Sequence, residues 1–184
     1  MSARWLKLPL TASDLEKLSI GEWVNLTGPL ITARDQALRR IGEIVVEGKT
    51  PPVALEGQLV YFVGPTPAKP GEPIGAAGPT TSRRMEKYLP ALLQAGVRAL
   101  MGKGPLTQEA VHELTRYGAV YLSAAGGAGA YYGSKVRGAT VAAYEELGPE
   151  AVYSLQVDNF SAVVAVDLEG RDLFASGPEA YRKD

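Results

Sequence analysis

The chain contains no cysteine among its 184 residues and only one histidine. The absence of cysteine excludes disulfides, thiol nucleophiles and any iron–sulfur cluster ligated by this chain. A single histidine also argues against a self-contained zinc site, because such sites draw on several Cys and His side chains. The sequence therefore predicts no metal site built from this chain alone.

An excess of charge of one sign is also missing. There are 19 Lys and Arg residues against 20 Asp and Glu, a net charge of −1. Nucleic acids and anionic membranes bind basic surfaces, so we expect neither as a partner. No apolar run is long enough to span a membrane, and the first residues lack the apolar stretch of a secretion signal. We therefore expect a cytoplasmic protein.

Apolar residues are plentiful and are interrupted by many turn-forming residues. They make up 46% of the chain, alongside 21 Gly and 13 Pro. Such a composition is typical of a loop-rich globular protein, and this length suits one core. We expect residues 1–184 to form a single domain.

Strand patterns and helix patterns alternate through most of the chain. Thr11 and Ser13 each fit the start of a capping box that opens a short helix. The predicted strands are residues 22–28, 59–63, 97–101 and 119–123, and the predicted helices that follow them are residues 33–48, 82–94, 108–117 and 131–136. This alternation predicts βαβ units with a parallel sheet.

The tail has a different pattern. Residues 151–157, 162–166 and 173–174 read as short strands, the last two joined by a turn at residues 168–171. These strands predict an antiparallel portion. The expected fold class is therefore mixed α/β.

One segment combines hydroxyl and guanidinium groups at a predicted strand-to-helix junction. Residues 78–85 read Gly-Pro-Thr-Thr-Ser-Arg-Arg-Met. The Gly-Pro turn fixes the entry to the helix, the hydroxyls can cap its N–H groups, and the arginines bring positive charge. Such a corner suits an anion, although for the octapeptide alone a capped surface helix with two solvated arginines is the better explanation.

Four cationic residues favour the anion-binding interpretation when they are taken together. Arg34 begins one predicted helix, Arg83 and Arg84 begin another, and Lys103 follows a strand. In a parallel α/β sheet these positions share the edge where ligands bind. Two guanidiniums can each grip a carboxylate through two N–H groups, so the set suits a small dicarboxylate.

Two glycine-rich stretches are near-matches to nucleotide-binding motifs. Around Lys103 the spacing is one residue too long for a P-loop, and Gly104 stands where Ser or Thr should bind magnesium. The stretch over residues 127–133 also has one residue too many for a dinucleotide fingerprint. Neither stretch predicts nucleotide binding.

Several strings occur in an order that resembles a known family. They are Ala-Arg-Asp at residues 33–35, Gly-Pro at 64–65, Gly-Ala-Ala-Gly-Pro-Thr-Thr-Ser-Arg-Arg-Met at 75–85, Gly-Lys-Gly at 102–104, Gly-Gly-Ala-Gly at 126–129 and Val-Asp-Asn-Phe-Ser-Ala at 157–162. This pattern resembles the β subunit, or C-terminal domain, of class I iron–sulfur fumarate hydratases and L-tartrate dehydratases. The resemblance covers nearly the whole chain and departs from the family at Leu38, where related chains commonly have histidine.

The resemblance implies a swivelling mixed β/α domain that packs against an α subunit carrying a [4Fe–4S] cluster. It also implies roles for individual residues. Arg34, Arg84 and Lys103 would hold the substrate carboxylates, while Thr80, with Lys103, would serve the proton transfer. Gly78, Thr81 and Ser82 would support the loop.

The function implied is that of the β subunit of a hydro-lyase of the tricarboxylic acid cycle. With its α subunit it would reversibly hydrate fumarate to malate, and a dimer of heterodimers is one expected assembly. L-Tartrate dehydration is the nearest alternative. A non-catalytic module for anion binding or subunit interaction is a further alternative. The presence of the four residues implied to act at the site argues against it: Arg34, Thr80, Arg84 and Lys103.

Overall fold

The computed structural model describes residues 3–179 and 181–182. Within these residues the chain forms seven β-strands: β1 (Arg4–Lys7), β2 (Trp23–Thr32), β3 (Leu59–Tyr61), β4 (Ala99–Gly102), β5 (Val120–Ser123), β6 (Val136–Ala143) and β7 (Val152–Val166). The same residues form six α-helices: α1 (Ala12–Leu15), α2 (Asp35–Val46), α3 (Leu89–Gln94), α4 (Gln108–Arg116), α5 (Gly129–Ser134) and α6 (Leu173–Glu179). The predicted mixed α/β class is confirmed.

The strands form one mixed sheet whose order is β1-β2-β3-β4-β5-β7-β6. Strands β1 to β5 are mutually parallel, as the βαβ pattern predicts for β2 to β5, and β7 runs antiparallel to its neighbours. Strand β7 pairs with β2 as well as with β5 and β6. The pairings β2–β3–β4–β5–β7–β2 therefore close into a ring.

The two faces of this ring carry separate apolar clusters because side chains alternate along a strand. An inner cluster lies within the ring and takes its large side chains from alternate strand positions, including Leu59, Tyr61, Met101, Leu122 and Phe160. An outer cluster takes the intervening positions and packs them under α2, α3 and α4. Helix α2 contributes Ala37, Leu38, Ile41 and Val45 to it, so Leu38 is a core residue here.

Two helix predictions can be compared directly with the structure. Helix α1 begins at the predicted capping box, in which the Thr11 hydroxyl accepts from the Asp14 backbone N–H. The predicted helix over residues 82–94 is wrong over its first half. Two 3₁₀ turns, Ser82–Arg84 and Glu86–Tyr88, precede α3. Pro90 explains this start, since proline lacks a backbone N–H and fits only the first turn of an α-helix.

The tail departs from its prediction in two ways. Residues 151–157 and 162–166 belong to one strand, β7, whose register with β2 shifts near Asn159, a residue with φ of 54°. The irregularity interrupts the strand pattern of the sequence, which is why two separate strands were predicted. The predicted strand at residues 173–174 is instead the start of α6, where the Asp172 carboxylate accepts from the Phe174 N–H.

No helix in residues 3–179 and 181–182 is long and apolar enough to cross a membrane.

Candidate active site

The predicted site residues lie along the edge formed by the carboxyl ends of β2, β3, β4 and β5, here called the carboxyl edge. Backbone hydrogen bonds join its segments in sequence. The Ala33 N–H donates to the Tyr61 carbonyl at 3.1 Å, and the Ala124 N–H donates to the Gly102 carbonyl at 2.7 Å. The edge is therefore one continuous framework rather than a set of independent loops.

Thr80 is inserted between the ends of β3 and β4. Its N–H donates to the Phe62 carbonyl at 2.7 Å, and its carbonyl accepts from the Lys103 N–H at 3.1 Å. The Ser82 N–H donates in turn to the Lys103 carbonyl at 2.9 Å. This pairing fixes the backbone of Thr80 on both sides and makes Lys103 its direct neighbour.

Ser82 lies beneath this segment, fully buried, in a chain of hydroxyl groups. Its Oγ is 2.8 Å from the Tyr121 hydroxyl, which itself donates to the Gly104 carbonyl at 2.8 Å. Because the Tyr121 proton is used on Gly104, Ser82 donates to Tyr121. Burial raises the pKa of the Tyr121 phenol, which keeps it a hydrogen-bond donor. Ser82 is thus joined to the Lys103 backbone through its own N–H and to the Gly104 carbonyl through Tyr121.

Gly102 makes room for this hydroxyl chain. A Cβ at this position would overlap Ser82 Oγ and lie 3.1 Å from Phe62 Cδ2. We expect Gly102→Ala to lower the free energy of unfolding by about 1–3 kcal/mol, because Ser82 must leave its place beside Tyr121. Chemical denaturation of the purified chain measures the change.

Gly138→Ala is the matched control for that substitution. Gly138 is also a strand glycine, but its added Cβ would lie 3.8 Å from Gln156, an ordinary contact. We expect its effect on unfolding to stay within about 0.5 kcal/mol. Equal losses from the two alanines would show that Gly102 has no special packing role.

The Pro- and Gly-rich loop over residues 64–79, which precedes Thr80, is held in place by hydrogen bonds and close packing. The buried Tyr61 hydroxyl donates to the Ala77 carbonyl at 2.6 Å, and the Ala77 N–H donates to the Gly129 carbonyl at 2.9 Å. Gly78 follows directly, and a Cβ on Gly129 would lie 3.2 Å from its nitrogen. The predicted turn at Gly78 therefore packs against the glycine-rich stretch before α5.

Arg34 and Arg84 meet at one carboxylate. Arg34 precedes α2, and its Nε is 3.4 Å from Asp35 Oδ2. Arg84 Nη2 donates to the same oxygen at 2.9 Å. The structure thus brings together the two arginines that were predicted to bind carboxylates.

The other two predicted cations differ from each other in their surroundings. Lys103 is half-buried, and its Cδ lies 3.6 Å from where a Cβ of Gly126 would be, so its side chain runs beside the glycine-rich stretch. Arg83 was predicted to join the cationic set. Arg83 is exposed. Among the described residues it forms no ion pair with Asp35 or Glu150.

Three residues of this edge had no predicted role in the site. Asp35 entered the sequence analysis only as part of the Ala-Arg-Asp string at residues 33–35, although its position beside Arg34 was a usable signal. Glu150 accepts from the Gln36 N–H at 2.9 Å and lies 3.4 Å from Arg34 Nη2, a contact between residues far apart in sequence. Tyr121 read as an ordinary member of a buried strand.

Among the described residues, no set of three or more His, Cys, Asp or Glu side chains could hold a metal ion. The chain has no cysteine, and its one histidine, His112, lies on α4, where it is only partly exposed. The side chains of this chain therefore do not fit a [4Fe–4S] cluster.

Comparison with known proteins assigns this chain to a family. The family model described as "Fumarase C-terminus" matches residues 4–177, nearly the whole chain. The chain belongs to this family. The resemblance inferred from the sequence is thereby confirmed.

Relatives of the Fumarase C-terminus family differ in how much of their length this chain covers. It is 32% identical to the "Fumarate hydratase class I, anaerobic" of Escherichia coli (strain K12), over 88% of this chain and 30% of that protein. It is 32% identical to "Fumarate hydratase 1, mitochondrial" of Leishmania major, over 91% of this chain and 31% of that protein. The chain thus spans about a third of the length of these fumarate hydratases.

A third relative matches the family domain at nearly full length. This Methanocaldococcus jannaschii protein, provisionally assigned as "L(+)-tartrate dehydratase subunit beta", is 35% identical over 90% of this chain and 88% of its own length. The family domain therefore occurs both as one third of a larger polypeptide and as a protein of about this size.

Proposed function

We propose that this chain is the β subunit of a cytoplasmic hydro-lyase that reversibly hydrates fumarate to malate. It supplies dicarboxylate-binding and proton-transfer residues to a site completed by an α subunit. The observation that carries the proposal is the shared carboxyl edge, where Arg34 and Arg84 meet at one carboxylate oxygen and Thr80 is paired with Lys103. Family membership supplies the reaction class.

The arginine pair suits a substrate with two carboxylates. Each guanidinium has five N–H donors in a planar fork, which matches a carboxylate through two parallel hydrogen bonds. Arg34 and Arg84 reach the same oxygen of Asp35, so their forks lie within a few ångströms of each other. Lys103, beside Thr80, adds a point charge that favours an anion at the reacting end.

Thr80 is the residue to which we assign proton transfer. Its backbone is bonded on both sides, so its hydroxyl has a fixed origin at the carboxyl edge. A threonine hydroxyl is a weak base at its ordinary pKa, and general acid–base catalysis requires a perturbed environment. We assign that perturbation to the nearby Lys103 charge and to closure of the site by the α subunit.

We assign the [4Fe–4S] cluster of this enzyme class to the α subunit. One support is the absence of cysteine from this chain. The other is that the fumarate hydratase relatives are about three times as long as the segment that they share with this chain. The described residues provide no ligand set that would hold the cluster here.

L-Tartrate dehydration is a second candidate reaction. One observation favours it: the relative that this chain covers over 88% of its length is the one assigned as a tartrate dehydratase β subunit. Both reactions add or remove water on a small dicarboxylate, so the same arginine pair serves either substrate.

Anaerobic co-expression with a cysteine-bearing α subunit of the same genome tests the proposal. We expect hydration of fumarate by the purified complex and none by either subunit alone, because the two chains hold complementary parts of one site. Faster turnover of L-tartrate would select the second reaction. The molar mass of the complex distinguishes a heterodimer from a dimer of heterodimers.

Three results would contradict the proposal. Fumarate hydration by this chain alone, without iron, would show that the site is not shared. A cluster-loaded complex that turns over neither acid would exclude both substrates. Failure to associate with any candidate α subunit would favour a non-catalytic anion-binding module.

A further inference from the structure

Asp35 touches both arginines of the proposed substrate site through a single oxygen. Asp35 Oδ2 is 2.9 Å from Arg84 Nη2 and 3.4 Å from Arg34 Nε. Its side chain is 24% exposed, whereas that of Arg84 is 56% exposed. A half-buried carboxylate thus holds the end of a long side chain that is otherwise largely in solvent.

The position of Asp35 frees it for this contact. It is the first residue of α2, where the helix dipole favours a negative charge. The adjacent Gln36 N–H, which a first-turn carboxylate often caps, is already bonded to Glu150 Oε2 at 2.9 Å. Glu150 therefore caps the helix, and Asp35 is available to the two guanidiniums.

Without a carboxylate between them, Arg34 and Arg84 would repel each other, and Arg84 would sample many rotamers. Fixing a long side chain before a ligand arrives removes an entropy cost from binding. Asp35 uses one nitrogen of each guanidinium, and Glu150 lies 3.4 Å from a second nitrogen of Arg34. A guanidinium has five N–H donors, so both arginines still have donors for a further carboxylate.

We infer that Asp35 is a positioning residue that holds Arg34 and Arg84 side by side for a dicarboxylate. The inference rests on the proposed function and adds to it a residue that does not itself touch the substrate. Asp35 acts through the two arginines, so its removal should weaken substrate binding more than it slows the chemical step.

Steady-state kinetics of the α–β complex carrying Asp35→Asn tests this role. We expect KM for the dicarboxylate to rise about tenfold, the weight of one hydrogen bond to a charged group, with kcat falling less than about threefold. Asp14→Asn is the matched control, because Asp14 is also a first-turn carboxylate but lies in α1. We expect it to leave KM unchanged.

A double-mutant cycle separates positioning from a general structural effect. In the Arg84→Ala background we expect Asp35→Asn to change KM by less than about threefold, since one of its two partners is already gone. A full tenfold effect in that background would overturn the inference. So would a lower KM for Asp35→Asn, which would make Asp35 a competitor of the substrate instead.

A measurement without turnover separates this inference from the proposed function. In ¹H–¹⁵N spectra of the chain, we expect the Nε–H signal of Arg34 and the Nη–H signals of Arg84 to be protected from solvent exchange and to lose that protection in Asp35→Asn. Unprotected signals in the unsubstituted chain would overturn the side-chain pairing even if the complex is active. Protected signals in a complex that hydrates no dicarboxylate would instead overturn the proposed function and leave the pairing established.

Discussion

Replacing Thr80 with valine is expected to lower kcat of the assembled complex by about 10²–10⁴-fold, the usual contribution of a positioned general acid or base. Valine keeps the branched shape of threonine and removes only the hydroxyl. KM for the dicarboxylate should change little, because the arginines that we propose to bind the carboxylates are untouched. Steady-state kinetics with fumarate and with L-tartrate measures both constants.

The structure makes this substitution a clean test of chemistry. Thr80 is held by backbone groups, its N–H bonded to Phe62 and its carbonyl to Lys103, and neither bond depends on the side chain. The residue is half-buried, so a methyl group in place of the hydroxyl leaves no large cavity. A lower kcat therefore reports the missing hydroxyl rather than a displaced loop.

Thr81→Val is the control for Thr80→Val. Thr81 is the next residue, is exposed and loses the same hydroxyl, but our proposal gives it only a supporting role. We expect its kcat to stay within about threefold of the parent complex, as for a surface substitution away from reacting atoms. If Thr80→Val also stayed in that range, proton transfer would have to be assigned to another residue.

The sequence was sufficient to place Arg34 and Lys103 at the carboxyl edge of the sheet. Apolar runs such as residues 59–63 and 119–123 mark buried parallel strands, and in such a sheet residues that follow strands share an edge. Arg34 and Lys103 were located by that rule alone. The contacts made by these residues were not predicted, because the rule gives an edge and no order along it.

The insertion of Thr80 between β3 and β4 could not be predicted from local patterns. It depends on the Phe62 carbonyl and the Lys103 N–H, which belong to two different strands, and on a loop that is anchored at Ala77 by Tyr61. Pro and Gly content predicts only that such a loop is irregular. The conformation is decided by tertiary contacts.

Ring closure by β7 is a second feature beyond local patterns. A long antiparallel strand with an irregularity at Asn159 has the sequence pattern of two short strands. It pairs with both β2 and β5, and its pairing with β2 joins residues more than a hundred positions apart. The edge strands β1 and β6 went unpredicted as well. Their side chains are largely exposed or half-buried, so they lack an apolar run.

The same distinction between local pattern and tertiary contact applies to the two adjacent arginines. Arg83 and Arg84 are the same residue type at adjacent positions, yet of the two it is Arg84 that pairs with Asp35. The resemblance to the family pointed to Arg84, and the geometry gives a physical reason for the choice. Neighbouring residues in a 3₁₀ turn face different directions, so one guanidinium can reach the carboxylate while the other stays in solvent.

We therefore expect Arg84→Ala to cost about 1.5–3 kcal/mol of transition-state stabilisation, which is roughly a ten- to hundred-fold loss in kcat/KM. Arg83→Ala is the matched control, since it removes the same charge from the neighbouring position, and we expect less than about a threefold change. Kinetics of the two complexes at equal ionic strength compares them directly. Equal losses would mean that the substrate senses the total charge of this turn rather than the guanidinium that Asp35 holds beside Arg34.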